Sequence, residues 1–125
     1  MIGTISRSRS LQLRGAFLLC IRDYDELIKS CPSGTVTRRL KDKFGERVYL
    51  QTWEWFEDKK FHDLSLFVLK RSGDYWESKP LETRMRAYKR DELTSALERA
   101  GFKDSEWLMP DKTGFYQPVL AARAP

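Results

Sequence analysis

Side chains that build metal centres and disulfide frameworks are scarce in this chain of 125 residues. It has two cysteines, Cys20 and Cys31, and a single histidine, His62. The cysteines belong to no Cys-x-x-Cys pair, so this inventory cannot supply the four ligands of a structural zinc site. We therefore expect no metal, and reduced thiols in a cytoplasmic protein.

Glycine is also sparse and scattered. The seven glycines are Gly3, Gly15, Gly34, Gly45, Gly73, Gly101 and Gly114. No two of them have the Gly-x-Gly spacing that lets a backbone turn approach a cofactor closely. No strand–helix–strand unit precedes the first apolar run to hold such a turn. We therefore expect this chain to lack a competent glycine-rich cofactor loop.

Long hydrophobic runs are absent, and residues 1–22 contain no acidic side chain. The apolar stretch Ala16–Ile21 is too short for a membrane span or a secretory signal. The start of the chain is rich in Arg and Ser, notably at Ser6–Ser10. Two interpretations remain open for it: an organelle transit peptide, or an irregular basic arm over residues 1–14, which we prefer.

The net charge is +5 and the sequence pI is about 9.3, which invites a nucleic-acid partner. However, 23 basic residues stand against 18 acidic ones, and the two signs are interleaved through most of the chain. Such a mixed surface is more typical of solubility than of polyanion binding. With 41% hydrophobic residues, the composition is that of one folded domain, expected over residues 15–125.

Hydrophobic periodicity predicts alternating strands and helices without internal repeats. Gly15–Ile21 is nearly all apolar, as in a parallel strand buried on both faces. Arg90–Ala100 is the clearest helix, because its apolar residues recur at helical spacing and Gly101 follows it. The other predicted elements are a short helix at Tyr24–Ser30 ended by Cys31–Gly34, antiparallel strands at Val48–Phe56, Phe61–Lys70 and Tyr75–Arg86, and final strands at Glu106–Met109 and Tyr116–Ala122.

Five motifs occur in an order that resembles the C-terminal half of class I S-adenosylmethionine-dependent methyltransferases, particularly the glycine and sarcosine N-methyltransferase type. They are Leu18–Leu27, Thr83–Leu93, Glu98–Phe102, Trp107–Pro110 and Gly114–Pro118. The resemblance covers roughly residues 11–125.

The resemblance implies an α/β fold, or α+β for this chain taken alone. The chain would form the C-terminal part of a seven-stranded Rossmann-like sheet, with an antiparallel β-meander inserted at about residues 46–86 and the cofactor half missing. In that sheet the strand at residues 15–22 is the fifth and the strand after the long helix is the sixth. The seventh runs antiparallel between them.

The same resemblance implies six substrate-binding residues and no assigned catalytic residue. They are Arg22, Asp23, Tyr24, Arg86, Tyr88 and Tyr116. Asp23 stands where the family has asparagine, which favours a more cationic amine as methyl acceptor. The implied cofactor is S-adenosylmethionine, although an isolated chain without a glycine-rich loop is expected to be inactive.

Each of these residues also has a purely structural interpretation. Arg22 and Asp23 would form a surface ion pair of little energetic value, and the two tyrosines at 88 and 116 would cover the core with their hydroxyls in water. His62 lies within an apolar strand, where a structural role is more common than general base catalysis. The remaining aromatic and basic candidates are expected to pack or to be solvated: Trp53, Trp55, Trp76, Trp107, Arg84 and Arg86.

Three hypotheses of different classes follow, in order of preference. The first is a truncated or partial methyltransferase carrying the substrate side of the site. The second is a non-catalytic small-molecule-binding or interaction module, and the third is a basic, aromatic nucleic-acid-binding β-protein. The methyltransferase hypothesis also predicts an open apolar edge at Gly15–Arg22, and hence self-association, a partner or aggregation through that strand.

Overall fold

The computed structural model describes residues 15–125, so the arm expected over residues 1–14 lies outside the described residues. Within the described range the elements in chain order are β1 (Ala16–Cys20), α1 (Tyr24–Ser30), β2 (Arg38–Asp42), β3 (Gly45–Trp55), β4 (Phe61–Ser72), β5 (Tyr75–Glu77), β6 (Leu81–Arg86), α2 (Arg90–Arg99), β7 (Lys103–Leu108), α3 (Pro110–Thr113) and β8 (Val119–Arg123). They divide into two compact units. The first comprises residues 15–26 and Tyr88–Pro125, and the second comprises Leu27–Ala87.

A three-stranded sheet in the order β1-β8-β7 forms the centre of the first unit. Strand β8 is antiparallel to both neighbours, with Leu120 opposite Leu19 on one side and opposite Trp107 on the other. Strands β1 and β7 therefore run parallel to each other. The expected order of these three strands, with the last strand antiparallel between the other two, is confirmed.

Strand β1 is buried on one face only. Phe17, Leu19 and Ile21 are buried, whereas Leu18 is 63% exposed. The prediction of a strand buried on both faces is therefore wrong. The inward face is covered because the Phe17 ring packs on Phe102, with ring centroids 5.0 Å apart. Among the described residues, β8 is the only strand paired with β1, and no described strand pairs with the opposite edge of β1.

Helix α2 begins at the predicted residue and ends one residue early, at Arg99. Carboxylates satisfy its first backbone donors: Glu92 accepts a hydrogen bond from the Lys89 N–H and Asp25 accepts one from the Arg90 N–H, each at 3.0 Å. At the other end Gly101 adopts φ +91°, and the Phe102 N–H donates to the Leu97 carbonyl at 3.0 Å. This Schellman-type end explains why Gly101 stops the helix.

The second unit is an antiparallel sheet in the order β2-β3-β4-β5, with β6 also paired to β4. The strand predicted at Tyr75–Arg86 is interrupted, and that prediction needs correction. Its two pieces, β5 and β6, keep one register against β4, since Lys70 opposes Glu77 and Leu66 opposes Leu81. The break includes Pro80, which has no N–H for the ladder.

Alternation along β3 is confirmed. Tyr49, Gln51, Trp53 and Trp55 share a face, because the register sets them opposite Val68, Leu66, Leu64 and His62. His62 is fully buried, and its ring lies 4.5 Å from the Trp53 ring and 4.9 Å from the Trp55 ring. The imidazole is thus part of the packing of this sheet, in line with the structural interpretation.

The segment after α1 lies against β3. Gly34 bridges Thr52, and the Trp53 N–H donates to the Ser33 carbonyl at 2.7 Å. A Cβ at position 34 would stand 2.1 Å from the Gln51 carbonyl oxygen, so only glycine permits this approach. The Trp55 indole N–H also donates to the Pro32 carbonyl, at 2.9 Å.

Candidate functional site

Several candidate residues of the first unit lie at one end of its sheet. The Ile21 N–H donates to the Pro118 carbonyl at 3.2 Å, which joins the end of β1 to the loop before β8. Because β1 and β7 are parallel, their carboxyl ends share this edge. Ligands of open α/β sheets commonly bind outside the carboxyl ends of parallel strands.

An arginine held by two carboxylates is the best-defined feature at this end. Arg90 Nη1 lies 2.6 Å from Asp23 Oδ1 and 3.6 Å from Asp25 Oδ2. The side chains of all three residues are about 30% exposed. Asp23 Oδ1 also accepts a long hydrogen bond of 3.4 Å from the Glu26 N–H at the start of α1. The turn after β1 is thereby fixed to the start of α2.

Tyr24 stands next to this cluster and is 2% exposed. Burial raises the pKa of its phenol above the ordinary tyrosine value, and the charge and hydrogen bond of Arg22 act in the opposite direction. The phenol is therefore neutral at physiological pH. The Arg22 side chain lies within hydrogen-bonding reach of this phenol.

The other two tyrosines differ in exposure. Tyr88 is half-buried and directly precedes the start of α2. Tyr116 is 78% exposed in the loop before β8, and its ring centroid lies 4.7 Å from that of Phe115. Both belong to the first unit, together with Arg22, Asp23 and Tyr24.

Arg86 belongs to the second unit. Its guanidinium donates to the Ala87 carbonyl at 3.0 Å and lies over the Phe61 ring, 5.6 Å from the centroid. Five of the six predicted substrate-binding residues thus belong to the first unit, and Arg86 is held by backbone and ring contacts in the second.

Sequence reasoning missed two members of the cluster, Asp25 and Arg90. One signal was available. A basic residue at the first position of a helix faces the positive end of the helix dipole, which is unfavourable unless a carboxylate neutralises it. Arg90 begins α2 in this way, and the Asp23-x-Asp25 pair supplies the carboxylates.

The purely structural interpretations of these candidates agree with the contacts at some residues and not at others. Asp23 pairs with Arg90, so an ion pair of Asp23 with Arg22 alone does not describe the site. The packing role of the tryptophans is supported at three positions. Trp53 is buried, the Trp55 indole is bonded to Pro32, and the Trp107 indole N–H donates to the Thr94 hydroxyl at 2.9 Å. Arg84 pairs with Asp63 at 2.8 Å.

The described glycines occupy positions other than a glycine-rich turn after a strand. Gly45 and Gly73 make hairpin turns, and Gly101 and Gly114 end helices. The turn that follows β1, Ile21–Asp23, contains no glycine. Between residues 15 and 125 there is also no group of His, Cys, Asp and Glu side chains arranged for a metal ion. Helices in the same range are all too short or too polar to cross a membrane.

Comparison with known proteins gives a structural likeness. No protein-family model matches the sequence, and no curated protein matches it significantly. The crystal structure of an S-adenosylmethionine-dependent methyltransferase from Clostridium acetobutylicum is similar, with a TM-score of 0.57 and 16% sequence identity. The similarity covers 88% of this chain and 44% of that one. This chain therefore has a mixed, sheet-rich fold similar to part of that structure, and it spans less than half the length of that methyltransferase.

Proposed function

We propose that this chain is the substrate-side part of an S-adenosylmethionine-dependent methyltransferase that acts on a small amine. The observation that carries the proposal is the fold likeness over 88% of the chain. It is supported by the strand order β1-β8-β7 and by polar side chains at the carboxyl end of β1. The glycine or sarcosine type of substrate is part of the proposal.

In this proposal the residues after β1 hold the methyl acceptor. Arg22 binds the carboxylate of an amino-acid substrate, and Asp23 accepts a hydrogen bond from its ammonium or amine group. Arg90 holds Asp23 in place through the 2.6 Å contact, so the Asp23 carboxylate is already oriented before the substrate arrives. Tyr88 and Tyr116 offer hydroxyls to the same amine. Arg86, in the second unit, is a candidate substrate contact through the family resemblance alone.

Cofactor chemistry is assigned to residues other than those described. S-adenosylmethionine supplies an electrophilic methyl group when it is bound, but the described glycines do not form the backbone turn that would receive it. We infer that a partner chain or further polypeptide provides this turn. The contribution of this chain is to bind the acceptor, orient it and exclude water from it.

The test is an NMR titration of the ¹⁵N-labelled chain with sarcosine and, separately, with ethylamine, which has no carboxylate. We expect saturable shifts at Arg22–Tyr24 and Tyr88 with sarcosine and weaker binding of ethylamine. Arg22→Gln should remove the preference for sarcosine, and Asp23→Asn should weaken both ligands about tenfold, because each loses a charge-assisted hydrogen bond. Lys103→Gln, in the same unit, is the control for loss of one charge.

Two outcomes would count against the proposal. If neither amine binds at millimolar concentration, the end of β1 is not a substrate site. If sarcosine binds equally well to Asp23→Asn, the carboxylate has no role. A parallel calorimetric titration with S-adenosylhomocysteine is expected to show no binding. Micromolar binding would instead mean that this chain holds the cofactor itself.

A further inference from the structure

The two faces of the five-stranded sheet in the second unit carry grooves of different chemistry. On one face a groove of about 470 Å³ is lined by three acidic side chains and one arginine, together with hydroxyl residues. On the other face a groove of about 680 Å³ is lined by Arg38, Arg39, Leu40, Tyr49, Gln51 and Leu66, with no acidic residue. The second groove is called the β2–β4 groove below, after the strands that line it.

We propose that the β2–β4 groove binds a small amphiphilic carboxylate, an anionic head on an apolar body. This site lies in the second unit and is independent of the proposed amine site in the first. Its volume is within the usual range for small-molecule sites. Leu40 and Leu66 provide apolar surface, and Leu40 is 45% exposed.

Arg38 is the cation that would receive the carboxylate. It lies directly opposite Tyr49 in the register of β2 and β3, so the guanidinium and the phenol share one face. None of the described carboxylates pairs with Arg38, whereas Arg39 is bonded to Glu46. Arg39 also lines the groove, but its guanidinium is already engaged by Glu46 and lies 5.6 Å from the centroid of the Trp76 ring. Arg38 is therefore the available anion partner of this groove.

The arrangement favours a small molecule over an added peptide strand. Strand β2 is an edge strand, and all five of its residues are exposed. Three of them, Arg38, Arg39 and Lys41, are basic, and charged edges disfavour strand addition. Gln51 lines the groove and accepts a hydrogen bond from the Trp53 indole N–H at 3.0 Å. A ligand that contacts Gln51 should therefore change the fluorescence of Trp53.

The test uses octanoate, octylamine and octanol as probes of one chain length and different charge. We expect octanoate to produce saturable NMR shifts along β2, β3 and β4 and a change in tryptophan fluorescence. Octylamine should not bind, and octanol should bind at least about tenfold more weakly, since it lacks the charge-assisted hydrogen bond. Arg38→Gln should weaken octanoate about tenfold, and Tyr49→Phe about threefold.

Lys103→Gln, which removes the same charge in the other unit, should leave octanoate binding unchanged. The proposal is overturned if octanoate does not saturate at millimolar concentration, if the three probes bind alike, or if Arg38→Gln and Lys103→Gln behave alike. Binding of an acidic peptide without binding of octanoate would also overturn it, in favour of a protein-docking surface. Because Arg38 is exposed, loss of folding is not expected, and circular dichroism of each variant checks this.

Discussion

Of the twelve buried apolar side chains among residues 15–125, nine belong to the first unit, although it has fewer described residues than the second. There, side chains from a sheet and a helix meet: Phe17, Leu97 and Leu120 are among the largest fully buried residues. In the second unit the buried apolar residues are Trp53, Leu64 and Ala87, joined by the buried ring of His62. One unit is stabilised by an extended core, whereas the other depends on its strand ladder and one ring cluster.

This difference bears on where function is placed. A packed core holds the turn after β1 rigidly, as a preorganised polar site requires. An open sheet instead leaves both of its faces accessible to ligands along their outer parts. This difference supports the proposal of a precise polar site in the first unit and of a broad groove in the second.

The largest effect is expected from Phe17→Ala. Phe17 is 2% exposed and packs on Phe102, so its removal should lower the free energy of unfolding by about 3–5 kcal/mol. Urea denaturation measures this. The matched change Phe44→Ala, at a ring that is 76% exposed in the second unit, should cost less than about 0.5 kcal/mol. Similar losses for the two variants would break the comparison.

Trp53→Ala should act mainly on the second unit. It removes the ring stacked on His62 and the hydrogen bond to Gln51, and the expected loss is about 3 kcal/mol. Amide hydrogen exchange should accelerate in β3 and β4 and remain slow in β1 and β8. Trp76→Ala, at a ring flanked by arginines, is the control. Equal acceleration in both units would mean that they unfold as one cooperative body.

Arg90→Gln tests the polar cluster. It leaves Asp23 and Asp25 as neighbouring, half-buried carboxylates, and we expect a loss of about 1–2 kcal/mol. Because an ion pair is screened by salt, the loss should be smaller at high ionic strength. Lys103→Gln is the control, and urea denaturation at low and high salt is the measurement. A loss that salt does not change would show that Arg90 acts by packing.

Some elements of the fold could be predicted from the sequence, and others could not. Helix α2 was predictable because its signals are local: Leu93 and Leu97 recur at helical spacing and Gly101 marks the end. Strand β2 was missed because all of its side chains are exposed, so it has no apolar alternation to detect. The contact of Arg90 with Asp25 joins residues far apart in the sequence. Such a pairing is set by tertiary structure, and propensity carries no information about it.

The burial of Tyr24 in the core of the first unit can be tested by measuring stability at alkaline pH. Burial raises the pKa of Tyr24, so folding favours the neutral phenol. This contribution is fully present below the ordinary tyrosine pKa of about 10 and is lost as the pH rises through the higher folded value. The wild-type chain should therefore lose stability above pH about 10 more steeply than Tyr24→Phe. Parallel curves for the two proteins would show that Tyr24 ionises freely.

The smallest effect on stability is expected at Leu18, which lies on β1, an edge strand of the described three-stranded sheet. Strand β1 offers an edge with Leu18 63% exposed, and residues 16–20 contain no charged side chain to discourage pairing. We expect concentration-dependent self-association of the wild-type chain by light scattering.

Leu18→Lys should abolish this self-association while changing the free energy of unfolding by less than about 0.5 kcal/mol. Tyr75→Lys, at an exposed aromatic in the second unit, should leave self-association intact, since position 75 lies outside the β1 strand. If the wild-type chain is monomeric at high micromolar concentration, or if both variants dissociate it, the β1 edge is not the surface that associates. Loss of association in Leu18→Lys alone would show that the chain associates through β1. The proposed cofactor-bearing partner would have to pair with the same strand.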